Sequence, residues 1–282
     1  MSVEVSPFEL AARAGEAPVR AEGVARLIAE RMSGDTVAME IDEQGPLRLR
    51  FPRIKAADAL DTVIVNTGGG VVGGDRLEFE IDAREGAAVS VTSQAAEKIY
   101  RSAAAAARIS LRLSAAPRAR LVWVPQETIL FDRSRVSRSI EADMSADASL
   151  TICESVVFGR AAMGEQLKSG SLQDRWRIRR DGKLVFADAV TLEGSIGNVL
   201  SGPAVAAGAN GFATIVQVAP DAESKIDAVR AALAGEDIEA GASAFGGFLL
   251  ARLLARDNLA LRSAVLAALH ALGAEPPRAF AL

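Results

Sequence analysis

Residues 66–82 read NTGGGVVGGDRLEFEID, a glycine-rich segment that runs directly into a strict alternation of apolar and charged residues. Leu77, Phe79 and Ile81 lie on one side of the alternation, and charged residues occupy the positions between them. A period of two is typical of a half-buried β-strand. The glycines therefore precede a strand, and this decides how the whole segment is interpreted.

The glycine segment also has the spacing G-x-G-x-x-G between Gly68 and Gly73. That spacing binds a pyrophosphate only when the glycines open a helix within a βαβ unit. A strand follows here, and no Lys-Ser or Lys-Thr comes after the glycines, which disfavours both a dinucleotide-binding loop and a P-loop. We predict a turn that needs positive φ angles or a close approach of two backbones.

Alternating or short apolar segments recur along most of the chain and indicate many strands. The pattern predicts strands at residues 37–41, 46–51, 61–66, 76–82, 87–93, 107–114, 119–124, 137–144, 149–158, 173–180, 183–192 and 212–218. Asp181-Gly182 between two of them is a strong hairpin signal. We predict a mainly β fold, with many short, mostly antiparallel strands in a sandwich-like or coiled scaffold.

The last quarter of the chain has helical periodicity. It predicts two helices near the C-terminus, at residues 220–234 and 258–272, with a buried strand at 248–254 between them and Gly273 ending the second helix. We expect a single domain over residues 1–282, with a β scaffold at residues 20–219 and a helix–strand–helix closing segment at residues 220–273.

Composition excludes several classes of protein. The 282 residues carry a net charge of −4, which argues against a nucleic-acid partner. No apolar run approaches the roughly 20 residues that span a bilayer, and the N-terminus does not resemble an export signal. We therefore expect a cytoplasmic protein that does not associate with a membrane. One cysteine, Cys153, and one histidine, His270, exclude a metal site built mainly from thiolate and imidazole.

Four segments resemble, in order, the motifs of the UreD (UreH) family of urease accessory proteins. Residues 66–76 resemble its Gly-Gly-x-x-Gly-Gly-Asp signature, and residues 92–102 its Thr-x-x-Ala-x-Lys-x-Tyr-Arg-Ser. Residues 123–131 are similar to its Pro-Gln-x-x-Ile-x-Phe, with Leu130 where proline is common, and residues 154–165 to its acidic, Gly-Arg and Gly-Glu run. The motif residues expected to be structural are Gly69, Gly70, Gly73, Gly74, Tyr100, Arg101, Gly159, Arg160, Gly164 and Glu165.

The resemblance implies a non-enzymatic urease maturation factor. Such a protein binds the urease structural subunits and UreF, reaches the GTPase UreG through UreF, and passes nickel(II) onward. Nickel is then in transit, and no cofactor is stably bound. Whether two copies enter the assembled complex stays open at this point.

Three acidic residues lie at strand positions where the alternation of the two faces predicts core residues. Asp75 continues the apolar face of the strand that follows it, and Glu154 and Asp188 share faces with apolar neighbours in their own strands. The apolar neighbours of Glu154 are Leu150, Ile152, Val156 and Phe158, and those of Asp188 are Leu184, Phe186, Val190 and Leu192. An unpaired buried carboxylate is costly, so something must compensate each one.

Two interpretations of these acids remain open. In the first, each is paired: Asp75 accepts hydrogen bonds from the glycine segment, and Glu154 meets Arg160 or another arginine. In the second, Asp75, Glu154 and Asp188 line a polar passage for nickel, where weak oxygen ligands permit both binding and release.

A different class of function is a hydrolase on a β scaffold that uses these carboxylates as acid and base groups. Sugar sites usually contain stacking rings, whereas only 5% of the residues here are aromatic. The remaining unusual residues have simpler interpretations. We expect Cys153 to be a small buried residue opposite Glu154, Trp123 and Trp176 to be core or interface anchors, and His270 to be a packing or surface residue, and we assign no chemistry to Lys98, Tyr100 or Arg101.

Overall fold

The computed structural model describes residues 20–52, 59–103, 105–160, 163–235 and 238–281. Residues 1–19, which begin the predicted domain and carry the expectation of no export signal, lie outside this part. Within it the chain is mainly β, in a coiled arrangement of two facing sheets with helices near the C-terminus, which confirms the predicted fold class.

One sheet has seven strands. In spatial order they are β14 (Lys183–Gly194), β13 (Gly170–Arg180), β11 (Arg135–Met144), β8 (Ala107–Ala115), β5 (Arg76–Ala83), β1 (Glu22–Met32) and β2 (Asp35–Gln44). The other sheet has ten strands. Eight follow one path, namely β16 (Ile238–Phe245), β17 (Phe248–Ala255), β15 (Gly211–Val218), β12 (Ser149–Phe158), β9 (Arg120–Trp123), β6 (Ala88–Ser93), β4 (Leu60–Asn66) and β3 (Leu47–Arg50), and β10 (Thr128–Leu130) joins β12 to β7 (Glu97–Ile99).

Strand direction differs from the expected antiparallel pairing, because nine of the fifteen strand pairs are parallel. Between β4 and β13 the chain passes repeatedly from one sheet to the other and back. Each pass adds a strand to a sheet, beside the strand that the previous pass placed there. Two successive strands are therefore stacked in different sheets instead of being joined in a hairpin. The hairpin at Asp181-Gly182 is confirmed: β13 and β14 are antiparallel, and both turn residues have positive φ.

Every predicted strand lies on an observed one, and four further strands, β1, β7, β10 and β16, were not predicted. β7 and β10 are only three residues long. β1 and β16 place glycine and alanine at many positions, which weakens the apolar signal. Their presence shows that a strand can form from small residues when neighbouring strands supply the pairing.

Two apolar cores hold the layers together. The larger lies between the sheets and contains residues such as Leu113, Ile140 and Leu150, all at most 2% exposed. The smaller lies between the outer face of the ten-stranded sheet and the C-terminal helices, with Ile215 and Leu269 at its centre. The strands of the middle of the ten-stranded sheet are thus buried on both faces.

The helices are α1 (Ile196–Ser201), α2 (Ile226–Ala232), α3 (Asn258–Ala271) and α4 (Arg278–Ala281), with a short 3-10 turn at Ala222–Lys225 before α2. α2 and α3 correspond to the two predicted helices. The side chain of Asp257 caps α3 by accepting a hydrogen bond from the backbone N–H of Ala260, and Gly273 follows with a φ of +65°.

Candidate functional site

The glycine segment is a tight turn that ends where β5 begins. Gly69, Gly70 and Gly74 have φ angles of +73°, +145° and +94°, which confirms the predicted need for positive φ. The close approach is also present: a Cβ on Gly70 would collide with the ring of Tyr100, and one on Gly73 with Ser102 and the backbone oxygen of Ala105. The segment is thus shaped by the protein's own packing.

The motif residues that are distant in sequence meet around this turn. The hydroxyl of Tyr100 donates to the backbone oxygen of Gly69 at 3.0 Å, and its ring packs edge-on against Phe131 at 5.0 Å. The guanidinium of Arg160 lies 4.3 Å above the ring of Phe131 and donates to Glu165 at 2.8 Å. Four sequence motifs therefore contact one another in one stacked cluster.

Asp75 is buried directly beneath the glycine turn. Its Oδ1 accepts from the N–H of Ala21 and its Oδ2 from the N–H of Val72, both at 2.9 Å. Val72 belongs to the glycine segment, so the compensation is the one expected of a turn-bound acid. Glu97, which lies close enough to interact electrostatically with Asp75, accepts two hydrogen bonds from the amide of Asn66 at 3.2 and 3.0 Å. Burial raises the pKa of Glu97, and the bonds from Asn66 oppose that rise.

Glu154 lies in the core between the two sheets and is compensated by side chains. Its Oε1 accepts from the indole N–H of Trp123 at 2.9 Å, and its Oε2 accepts from the guanidinium of Arg138. Arg138 also donates through its Nε to Asp174 at 3.0 Å and through its Nη2 to the same carboxylate. Trp176 donates to Asp174 at 3.1 Å. The arginine that meets Glu154 is thus Arg138, and Arg160 pairs with Glu165 instead.

The buried cluster of Arg138, Glu154 and Asp174 contains two acids and one base, and each residue is at most 6% exposed. Burial raises the pKa of Glu154; the guanidinium of Arg138 opposes this, and the nearby carboxylate of Asp174 adds to it. The pKa of Arg138 is raised by the two carboxylates, so it stays charged. With both acids ionised the cluster carries an excess negative charge in an apolar core.

Arg138 and Asp174 were missed in the sequence analysis, although the signal was available. Arg138 shares its strand face with Val136, Ile140 and Ala142, all buried, and Asp174 shares its face with Leu172, Trp176 and Ile178. The parity argument that selected Glu154 selects both of them equally. Arg138 and Asp174 are also direct partners in the register of β11 with β13.

Asp188 lies in β14, at the edge of the seven-stranded sheet. Its Oδ2 pairs with Arg252 of the other sheet at 2.6 Å, and its Oδ1 accepts from the N–H of Ala189 at 2.9 Å. The expectation that Leu184 shares its inward face is wrong, because the register of β13 with β14 shifts between Ile178 and Arg179. That irregularity turns Leu184 outward, where it is 47% exposed.

Glu154 and Asp188 are connected through one row of side chains. Glu154 pairs in register with Thr214 of β15, and Thr214 pairs with Arg252 of β17, so all three side chains point into the space between the sheets. Thr214 and Arg252 also line a cavity of about 250 Å³ that lies between β14 and β15–β17. Asp188 and Glu154 each neighbour one residue of this cavity, called the cleft below: Asp188 pairs with Arg252, and Glu154 pairs in register with Thr214.

The remaining single residues have the simple roles expected of them. Cys153 is buried against the helices, on the strand face opposite Glu154, and burial raises its pKa. Trp123 and Trp176 are buried anchors, and His270 lies on the surface of α3. Within the described ranges, no group of three or more His, Cys, Asp or Glu side chains is arranged to hold a metal ion. Among those same residues, the longest apolar helix is too short to cross a membrane.

Known proteins resemble this chain over nearly its whole length. The family model described as UreD urease accessory protein matches residues 21–279. A urease accessory protein UreD from Rhodopseudomonas palustris (strain BisB18) is 45% identical over 265 residues, which cover 94% of this chain and 95% of the relative. Another, from Xanthobacter autotrophicus (strain ATCC BAA-1158 / Py2), is 48% identical over 243 residues, covering 86% and 83% of the two chains.

Proposed function

Because this chain belongs to the UreD family of urease accessory proteins, we propose that it is a non-enzymatic maturation factor that passes nickel(II) to the urease apoprotein. In this proposal it acts in the cytoplasm as a single domain, binds the urease structural subunits and UreF, and reaches the GTPase UreG through UreF. Nickel is the cargo, and the protein keeps no stably bound cofactor.

The observation that carries the proposal is the buried cluster around Glu154. An apolar core that only needed stability would be served at least as well by apolar residues, because desolvating charges costs several kcal/mol each. Here two carboxylates share one guanidinium, so with both acids ionised the cluster offers an excess negative charge to a passing cation. Carboxylate oxygens bind a divalent cation weakly enough to release it, which suits transfer better than storage.

In this proposal the cleft lined by Arg252 and Thr214 is the route between solvent and this cluster. A cation that displaces Arg252 from Asp188 would meet the hydroxyl of Thr214 and then Glu154, without crossing the middle of either sheet. Asp75, with Glu97 beside it, is a third oxygen-donor position in the proposal, and its two N–H contacts would have to loosen as a cation passes. The alternative of catalytic carboxylates gains no support, because Asp75 and Glu154 are both held by donors of the protein itself.

The test is urease activation in cells that express urease with all its accessory proteins. Glu154→Gln keeps the size of the side chain and the hydrogen bond from Trp123 but removes the excess charge. We expect activation to fall by about tenfold or more, since a bond to a charged group contributes roughly 1.5–3 kcal/mol. The matched control is Glu85→Gln, which removes an exposed carboxylate paired with Arg118.

A pull-down from the same cells distinguishes a loss of nickel transfer from a loss of complex assembly. Recovery of the Glu154→Gln variant with UreF would show that the loss lies in transfer and not in assembly. Normal activation by this variant would contradict the passage and leave the family membership intact.

A further inference from the structure

The two sheets end unevenly on one side of the molecule. β14, the last strand of the seven-stranded sheet, lies over β17: Phe186 contacts Phe248 with ring centroids 5.6 Å apart, and Asp188 pairs with Arg252. The ten-stranded sheet continues beyond β17 by one more strand, β16. The inward-facing residues of β16 are exposed, namely Glu239, Gly241, Ser243 and Phe245. The seven-stranded sheet is therefore one strand too short to cover them.

Two exposed apolar side chains border the groove that this uncovered face forms. Among the large hydrophobic residues exposed in the described part of the chain, Val205 and Phe245 lie here, at 50% and 61% exposure. Val205 lines the same cavity as Arg252, and Phe245 packs against Phe248 at 4.5 Å. Apolar residues that cluster beside an open groove mark an interaction site more often than scattered ones do.

Among the strands of the described residues, β14 pairs only with β13, so its other edge can accept another strand. The N–H of Ala189 is bonded by the neighbouring side chain of Asp188, so the odd-numbered residues of this strand direct their N–H groups away from β13. From Phe186 to Gly194 the strand is regular, and the outward side chains of Ala187, Ala189 and Thr191 are small and exposed. An exposed, regular edge of this kind is a template for pairing with another chain.

A second copy of this protein does not fit the groove by two-fold pairing of the β14 edges. In each copy, the ten-stranded sheet extends by one strand, β16, beyond the position of β14 in the facing seven-stranded sheet. If two β14 strands paired, β16 of one copy would occupy the place of β17 of the other. The occupant must therefore be a chain without such an overhang.

We propose that an extended segment of a different protein adds to β14 as an eighth strand and covers the inner face of β16 and β17. Strand addition of this kind takes affinity from backbone hydrogen bonds and specificity from alternate side chains. The partner side chain that faces Gly241 should be large, because a Cβ on Gly241 would meet nothing within 4 Å, and the one that faces Phe245 should be apolar, because Phe245 is 61% exposed. The groove stands on the shape of the fold and does not depend on nickel transfer.

The test measures binding of the full-length protein to two probes separately, purified UreF and purified urease apoprotein. Gly241→Lys fills the groove from an open position that has no positive φ, so the fold should be retained. The matched control is Gly235→Lys, another open position with no positive φ. We expect Gly241→Lys to weaken binding of one probe by about tenfold or more, a change of about 1.4 kcal/mol, while Gly235→Lys binds as the original protein does.

A second pair of variants tests the strand pairing itself. Thr191→Pro removes an N–H that faces the open edge, which edge strands tolerate, and Thr191→Ala keeps that N–H. Only the proline variant should lose binding, and hydrogen exchange at Ala187 and Thr191 of the original protein should slow in the complex.

Several results would overturn the proposal. Equal binding by both lysine variants would do so, as would unchanged exchange in β14 or failure of both probes to bind the original protein. Self-association that Gly241→Lys abolishes would identify a second copy instead. The Glu154→Gln activation test is unaffected by any of these results, so the two proposals can fail separately.

Discussion

Asp75 and Glu154 have the same signature in the sequence and the same burial, 4% exposed each, yet the protein compensates them in different ways. Asp75 is held by two backbone N–H groups, one of them only three residues away. Glu154 is held by side chains from two other strands, one in each sheet. A turn can satisfy a buried acid with no change of charge, whereas a cross-sheet cluster brings further charges into the core.

The two regions therefore differ in the charge that they bring into the core. The carboxylate of Asp75 is hydrogen-bonded by backbone groups at a turn, and the hydroxyl of Tyr100 donates to Gly69 of the same turn. The Glu154 region depends on three strands being correctly placed and still keeps an unbalanced carboxylate. Four variants test this contrast, beginning with the largest expected effect.

Replacing the central cation should have the largest effect on stability. Arg138→Met leaves Glu154 and Asp174 facing each other in an apolar core, and breaking a buried pair in this way costs about 3–5 kcal/mol. Urea unfolding at neutral pH measures the free energy of unfolding, with the exposed Arg135→Met as control. A loss below about 1 kcal/mol, the range of a surface pair, would mean that the cluster is not desolvated.

Removing the charge of the turn-bound acid should have a smaller effect. Asp75→Asn keeps one acceptor but turns an NH₂ group toward one of the two N–H donors. An unsatisfied buried donor costs about 1–3 kcal/mol, so the free energy of unfolding should fall by that amount. The same unfolding assay applies, and a loss as large as that of Arg138→Met would erase the contrast between the two regions.

The pH dependence of stability should report on the burial of Glu154. Because the folded state raises the pKa of Glu154, its carboxyl group binds a proton more readily when folded than when unfolded. The original protein should therefore lose stability, relative to Glu154→Gln, as pH rises from below the ordinary carboxyl pKa through the raised one. Thermal unfolding of both proteins across that range measures the difference. Parallel curves would contradict the assigned direction.

The smallest effect on stability is expected at Asp188, which pairs with Arg252 of the cleft. Arg252 is 51% exposed beside Asp188, so the pair is screened by solvent and contributes about 0–1 kcal/mol. Asp188→Asn should thus unfold almost as the original protein does while lowering urease activation in cells. If activation is unchanged, the cleft is not the route to Glu154.

Strands could be predicted from periodicity where apolar side chains alternate clearly with charged ones. β5 alternates Leu77, Phe79 and Ile81 with charges, and the structure places that strand where the pattern does. β16 alternates mainly alanine and glycine with polar residues, so its pattern carried too little contrast to identify it. Pairing direction was not predictable, because a short connection looks the same in sequence whether the next strand pairs with the last one or stacks beneath it.

The candidate site was predictable only in part, for a similar reason. Parity identified Glu154 from its own strand, and the same rule applied to Arg138 and Asp174 would have found all three charges. Their meeting in one cluster could not be deduced, since it requires the parallel register of β11 with β13 and the facing of two sheets. The link from Asp188 to Glu154 likewise depends on β15 and β17 lying side by side.

Cys153 can report when the C-terminal helices separate from the ten-stranded sheet. It is the chain's single thiol, and it lies between β12 and the C-terminal helices, where burial holds its pKa above the ordinary range. A thiol reagent can reach it only when the helical layer lifts from the sheet, so the rate of labelling counts those openings. The layer that closes the fold can therefore be followed in time without attaching any probe beforehand.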